Sequence, residues 1–495
     1  MTFVPTQSGR KADPQLALRT AFAPNSLAIA GVSPRTTGWG GGQMFLRGIR
    51  KLDRVPNVYC LNPRGGELAD GTPLYQSLAD VPGPVESLIS AVPASAILGL
   101  VDDAIAKRVK VMHLFTAGFG ETGSSERADL ETEVLRKLDE AGIRLIGPNC
   151  MGIHSTRGGV SWMDESDSMP GHVGMLSQSG MNASEVVGEG VRRGITFSNV
   201  ASFGNASDLN EADFLEFLSH DNDTNLVLAY LEGIRNGRRF LQVAREMSQR
   251  RKPLIVLKGG LTEAGSRAAS SHTGSLAGSA QIWNAVQKQG GSAQIWNAVQ
   301  KQGGFIPAQS IEELLDLAVT IERMPDVSGP RCAVLGGGGG VSVLAADICD
   351  RNDIPVPWFG EATQKVLREF TPVAGTSIRN PLDAGFMFEG DHMETALKAV
   401  SDDPSIDWLM VHTGTDGGTR ARDEDFAEET ANSLATVAEK LSKPLAVVVR
   451  QPRTNDGFGR GLDLQRRLND HGIACYHSIE SCARAVRRYL DWQNR

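Results

Sequence analysis

Ser26-Leu27-Ala28-Ile29-Ala30-Gly31-Val32 is a short apolar run that ends in a glycine. It leads into a glycine-rich turn, Ser33-Pro34-Arg35 through Gly38 and Gly40-Gly41-Gly42, and then into the helical pattern MFLRGIRKL (44–52). A strand that enters a glycine turn and then a helix is the first half of a βαβ unit. The pattern recurs in NVYCLNP (57–63), SLISAVP (87–93), VMHLFTAGF (111–119) and IRLIGPNC (143–150), each closed by glycine or proline and separated from the next by helical stretches. Residues 21–158 therefore read as one doubly wound α/β domain with a parallel sheet, and 1–20 as an N-terminal extension.

Two further units follow. The first opens with VGMLSQSG (173–180) and continues through ITFSNVASFGN (195–205), NLVLAYLEG (225–233) and KPLIVLKGG (252–260). The second opens with RCAVLGGGGG (331–340) and continues through WLMVHTG (408–414) and KPLAVVVRQ (443–451). Their parts come in one order: a strand into a glycine turn and helix, a helix ending Ser219-His220-Asp221 or Ser401-Asp402-Asp403, a strand, a helix, and a Lys-Pro strand. They read as two copies of one α/β architecture, over 170–305 and 330–490. The tract 306–329, with IEELLDLAVTIERM, reads as a helical join.

A different repeat lies inside the second unit. GSAQIWNAVQKQG occupies 278–290 and returns unchanged at 291–303. Thirteen residues rotate a helix by about 220° beyond whole turns, so one continuous helix would carry its apolar face away from the core. Gly290-Gly291 is the expected break.

At 495 residues the chain has room for about three domains. Lys plus Arg number 50 against 58 Asp plus Glu, a net charge of −8, so no general electrostatic footprint for nucleic acid or an anionic membrane exists and an anionic ligand must be held locally. The first residues lack the pattern of a signal peptide, and no apolar run approaches the ~18 residues of a membrane span. The six cysteines lack CxxC spacing, so no metal site is expected and a reducing cytoplasm is.

Candidate sites lie where strands end. The turn containing Gly31, Ser33, Pro34 and Arg35 can turn backbone amides toward a phosphate. It is not GxGxxG, and the next strand ends Asn62-Pro63-Arg64, a cation where NAD enzymes place a carboxylate. CoA, with its additional phosphate, suits Arg64 better. Val92, Pro93, Ala117 and Asn149 close the other strands and outline the same crevice. In the second unit Ser177-Gln178-Ser179-Gly180 opens a helix and is the candidate phosphate site; the G-x-S-x-G elbow of a hydrolase is absent. His272 stands among small residues in what reads as a loop, without large apolar neighbours to bury it. A nucleophilic histidine needs a carboxylate for its other ring nitrogen, and Glu232, at a strand end, is the candidate.

GPNCMGI (147–153), LSQSG (176–180), SFGNASD (202–208), YLEGI (230–234), SSHTGSLAG (270–278) and RNPLD (379–383), in that order, make the chain resemble the α subunit of the NDP-forming acyl-CoA synthetases, the superfamily of ADP-forming acetyl-CoA synthetase and succinyl-CoA synthetase. The resemblance covers residues 20 to 490. It implies a CoA-binding Rossmann-like domain followed by two flavodoxin-like domains. It also implies an acid–CoA ligase reaction, carboxylic acid plus CoA plus ATP against acyl-CoA plus ADP and phosphate, running through an acyl phosphate and a phosphohistidine at His272. Glu232 would orient the histidine, and Gly274 would join the phosphate site. No ATP-grasp module is visible, so ATP or ADP and Mg2+ are expected on a partner β subunit in a hetero-oligomer. The run Gly336 to Gly340 departs from the family's asparagine-containing turn, and the duplication begins six residues past His272. A CoA-binding or regulatory protein without catalysis is the alternative, and retention of both His272 and Glu232 speaks against it.

Overall fold

A computed structural model describes residues 12–34, 41–164, 169–272, 292–372, 376–383, 385, 392–415, 425–452 and 454–495. Arg35, Gly274 and the first copy of the duplicated segment lie outside the described residues. The chain divides into two compact units, one holding residues 1–188 and 196–309, the other 189–195 and 310–495.

The first unit contains two sheets. Strands β1 (Ser26–Ala30), β2 (Asn57–Leu61), β3 (Leu74–Tyr75), β4 (Ser87–Ser90), β5 (Val111–Leu114) and β6 (Arg144–Ile146) form a parallel sheet in the order β3-β2-β1-β4-β5-β6. That is the Rossmann order, with its switch point between β1 and β4, where such sheets bind ligands beyond their carboxyl ends. β1 is buried along its whole length, which is why it carries no polar alternation.

The second sheet is built from β7 (Gly152–Ser155), β8 (Val173–Ser177), β9 (Phe197–Ser202), β10 (Leu226–Leu231), β11 (Leu254–Lys258) and β12 (Ile306–Ala308), in the order β12-β11-β10-β8-β9-β7. Its five parallel strands follow the flavodoxin order, and β7 is added antiparallel to β9. β7 falls within the stretch read from sequence as the first domain, yet it pairs with the second. The tract read as a helical join also differs: its first residues form β12, paired with β11, and only Ile311–Arg323 is helical. The stretch read as an N-terminal extension, 1–20, contributes most of a helix, Pro14–Phe22, whose Ala17, Leu18, Ala21 and Phe22 are buried in the core of this unit; Phe22 stacks on Phe217 with ring centroids 4.5 Å apart. Arg144 makes paired 2.8 Å bonds to Asp208, a buried bidentate clamp from β6 to the segment before helix Glu211–His220.

The second copy of the duplicated segment forms the helix Ser292–Gly303. Its Trp296 is buried against Phe305, centroids 5.4 Å apart, so the copy nearest β12 supplies core.

The second unit holds β13 (Cys332–Gly336), β14 (Leu382–Asp383), β15 (Trp408–Thr413), β16 (Leu445–Val449) and β17 (Ala474–Tyr476), all parallel, in the order β14-β13-β15-β16-β17. This reproduces the order of β9-β8-β10-β11-β12. The register agrees as well: Val173 pairs with Leu226 as Cys332 pairs with Trp408, Val227 with Leu254 as Leu409 with Leu445, and Ile255 with Ile306 as Ala446 with Ala474. The repeat read from the order of parts is thus a repeat of topology.

Candidate functional site

At the Rossmann switch point the β1 turn is fixed by its backbone. The amides of Gly31 and Val32 both donate to the carbonyl of Leu61 at 3.1 Å. Gly31 has φ +91°, and a Cβ there would stand 2.7 Å from the carbonyl oxygen of Ala91, so only glycine lets β1 and β4 end this close together. Asn62 Nδ2 donates to the carbonyl of Val32 at 2.7 Å, while its Oδ1 accepts from the amide of Arg64 at 3.0 Å. Asn62 thus ties the two turns together, and Arg64 is exposed beside them. A glycine turn with an exposed guanidinium at its rim fits a phosphorylated ligand.

The strand ends of the first sheet meet those of the second in a cavity of about 530 Å³, lined by Val92, Pro93, Ala117 and Asn149 on one side and by Gln178, Ser179 and Gly180 on the other. The structure therefore brings together four of the residues expected at CoA and three of those expected at phosphate. Asn149 takes the left-handed conformation, φ +59°, and its amide donates to Thr116 O at 3.0 Å. Thr116 Oγ1 donates to Val92 O at 2.6 Å. Ser177, expected at phosphate, is fully buried and does not line the cavity; its hydroxyl donates to the carbonyl of Ser179 at 2.7 Å. Gly31, Ser33, Pro34, Asn62, Arg64 and Glu232 do not line it. Sequence reasoning missed Phe115, Met151, Met181 and Asn205, which do; Met151 and Asn205 stood inside the motifs GPNCMGI and SFGNASD, whereas Phe115 and Met181 had no signal beyond their place next to a strand end and a helix start.

Glu232 follows the last residue of β10. Tyr230 Oη donates to Glu232 Oε1 at 3.2 Å, and burial with the neighbouring carboxylate pushes the phenol up to about 12, so it remains a donor. Gln178 Oε1 accepts from the amides of Glu232 and Gly233, the latter at 2.8 Å. Lys258, at the end of β11, donates from Nζ to Glu232 O at 2.8 Å and to the carbonyl of Gly259. Neither Tyr230 nor Lys258 was singled out from sequence.

His272 was expected in a loop, but its backbone ends the helix Glu263–His272. Thr262 Oγ1 accepts from the amide of Gly265 at 3.0 Å, and Arg267 pairs with Glu263 one turn back at 2.7 Å; with several alanines these are sufficient helix signals. Parallel pairing of β10 with β11 sets Glu232 and the start of the His272 segment at neighbouring strand ends. Among the described residues no cluster of His, Cys, Asp and Glu could hold a metal, and no helix is long and apolar enough to cross a membrane. All six cysteines are free and buried.

Two family models match the chain, a CoA binding domain over residues 25–156 and a succinyl-CoA ligase like flavodoxin domain over 170–294. The acetate–CoA ligase [ADP-forming] II subunit alpha of Pyrococcus furiosus is 34% identical over 79% of this chain and 81% of its own length. The acetate–CoA ligase [ADP-forming] I of Archaeoglobus fulgidus is 34% identical over 79% of this chain, a match spanning 54% of that relative's length. Among solved structures, the dinucleotide forming acetyl-coenzyme A synthetase 1 of Ca. Korarchaeum cryptofilum, in complex with phosphate and ADP, has a TM-score of 0.78 at 29% identity, covering 96% of this chain and 97% of that one. The chain belongs to the ADP-forming acetate–CoA ligase family and aligns with the α subunit where that subunit is a separate chain. Both relatives are named as ligases.

Proposed function

We propose that the chain is the α subunit of an ADP-forming acid–CoA ligase that carries the phosphoryl group on His272. The observation that supports this most directly is the shared cavity, in which strand ends of a CoA-binding sheet face the Gln178-Ser179-Gly180 helix start. A thioester delivered from the first sheet would meet phosphate held by amides of the second. Phosphate oxygen attacks the thioester carbonyl, the C–S bond breaks, and CoA leaves as thiol. The lone-pair nitrogen of neutral His272 then attacks phosphorus of the acyl phosphate. The P–O bond to the acyl group breaks, its electrons leave on the carboxylate, and Glu232 balances the positive charge that develops on the ring. Phosphoryl transfer onward to ADP takes place on a nucleotide-binding partner chain of the ATP-grasp type, with its Mg2+, in a hetero-oligomer. Free buried cysteines fit a reducing cytoplasm.

Incubation with acyl-CoA and labelled inorganic phosphate tests the reading. The wild-type chain is expected to take up acid-labile, alkali-stable label, with or without the partner, and His272→Ala to take up none while binding CoA normally. Persistent label on His272→Ala overturns it. Arg64→Glu is expected to weaken CoA binding by about 1.5–3 kcal/mol, the range of a charge-assisted hydrogen bond, measured by calorimetry.

A further inference from the structure

Lys258 is a half-buried lysine at the strand ends of the second sheet for which neither the fold nor the reaction above has yet given a reason. At the equivalent register position of the second unit, β16 ends in Val449, so the architecture itself needs no lysine there. Burying an ammonium is costly unless its protons are met by acceptors. Two of its three protons go to backbone carbonyls, of Glu232 and of Gly259, and among the described residues no carboxylate forms an ion pair with it. Those two carbonyls belong to the turn that presents Glu232 and to the turn that begins the segment ending at His272.

We propose that Lys258 is a positioning residue of the phosphoryl-transfer site: its ammonium ties the Glu232 turn to the turn leading to His272 and offsets the negative charge that a phosphoryl group brings beside Glu232. The inference rests on the reading of His272 as phosphoryl carrier. With Glu232 as the carboxylate partner of His272, a phosphoryl group on the carrier adds up to two negative charges beside that carboxylate, and a fixed cation between the two turns lowers the repulsion without having to reorganise. Geometry assigns the parts around it. Gln178 holds the amides of Glu232 and Gly233, Tyr230 holds the carboxylate, and Lys258 holds the carbonyl. Burial brings the Lys258 ammonium down to about 8, with Glu232 acting in the opposite direction. The titratable group acting on it is Glu232, which follows β10, with Tyr230 held against that carboxylate; the Gln178 turn of β8 and strand β12 bring none. The cation is thus present at neutral pH and is lost as pH rises through about 8.

The test is the rate of His272 labelling from acyl-CoA and labelled phosphate, measured with the full chain between pH 6.5 and 9.5. Wild type is expected to lose rate as pH rises past about 8. Lys258→Met should label at least tenfold more slowly with no alkaline limb, while CoA affinity stays within twofold. Lys258→Arg should recover much of the rate and move the limb above pH 9, since a guanidinium does not deprotonate there. If Lys258→Met fails to fold, the arginine variant and the wild-type limb decide. Wild-type rate and limb in Lys258→Met, or an unmoved limb in Lys258→Arg, overturn the role of Lys258 alone. Label that survives His272→Ala overturns the carrier reading beneath it.

Discussion

The two flavodoxin-like sheets share strand order and register, and they differ at their tips. Where β8 runs from Ser177 into Gln178, β13 runs from Gly336 into Gly337; where Glu232 follows β10, Gly414 follows β15; where β11 ends in Lys258, β16 ends in Val449. The shared parts are those that close the fold. Lys252, before β11, reaches back to the carbonyls of Leu218, Ser219 and Asp221, and Lys443, before β16, reaches the carbonyl of Asp403. Lysines that satisfy helix-end carbonyls were kept in both copies, and a carboxylate and an ammonium at the strand tips in only one. A scaffold supplies positions, and the residues at a few of them decide whether chemistry takes place there.

The sharpest way to break this contrast is at Glu232. Glu232→Gln keeps the side chain's shape and removes its charge, so phosphorylation of His272 should fall by about 100-fold or more, with CoA affinity and melting temperature unchanged. A rate within a few-fold of wild type would mean that the tips do not divide the labour between the copies. The next effect concerns Gly336, over which the ring of His412 lies so closely that a Cβ would overlap it; its counterpart Ser177 carries a side chain without difficulty. Gly336→Ala should destabilise the second unit by about 1–3 kcal/mol, and much of that loss should vanish in the Gly336→Ala, His412→Ala double variant relative to His412→Ala alone, a coupling read from denaturant melts.

His412 also gives a pH signature. Burial, helped by the positive charge of Arg450, brings it down to about 4. With the unfolded ring near 6.5, the unfolded chain binds the extra proton first, so the stabilisation is present above pH 6.5 and lost as pH falls toward 4, by about 2 kcal/mol at pH 5. In the first unit His113 and His154 are likewise brought down to about 4 by burial, so melting temperature should drop between pH 7 and 5, and His412→Gln should flatten only the second unit's share. The smallest expected effect is from deleting residues 291–303. Because the copies are identical, removing either leaves the same sequence, and the remaining copy can supply the tryptophan that now packs on Phe305. The melting temperature should stay within a degree or two; a collapse of the first unit would show that both copies are needed.

Much of the fold was legible because glycine- and proline-terminated apolar runs mark buried parallel strands, and because the order of parts repeats. The exceptions have physical causes. GIHS at β7 looks like a tail of the preceding strand turn, and only its antiparallel pairing with β9 shows which sheet owns it. IPA at β12 is too short for any period. Among the residues of the cavity, Val92, Pro93, Ala117 and Asn149 were read from strand ends and Gln178, Ser179 and Gly180 from a helix start, and they do meet in one cavity, whereas Met151 and Asn205 lay inside quoted motifs without being singled out. Lys258 was not found, since its contact with the Glu232 carbonyl exists only through the register of β10 against β11; Tyr230, two residues before Glu232 and on the same face by strand alternation, was legible in YLEGI and was overlooked.

Gln178 has one consequence for the polarity of that cavity. Its carbonyl oxygen is committed to two backbone amides beyond β10, which fixes which way round the terminal amide sits. The NH2 end makes no hydrogen bond among the described residues, so Gln178 itself has protons and no free amide oxygen to offer the cavity it lines. A visitor rich in oxygen lone pairs finds a match there, and one that can only donate does not. Glutamate at this position would keep both backbone contacts and turn a side chain that offers protons into one that repels anions, a reversal made by a single atom exchanged for another.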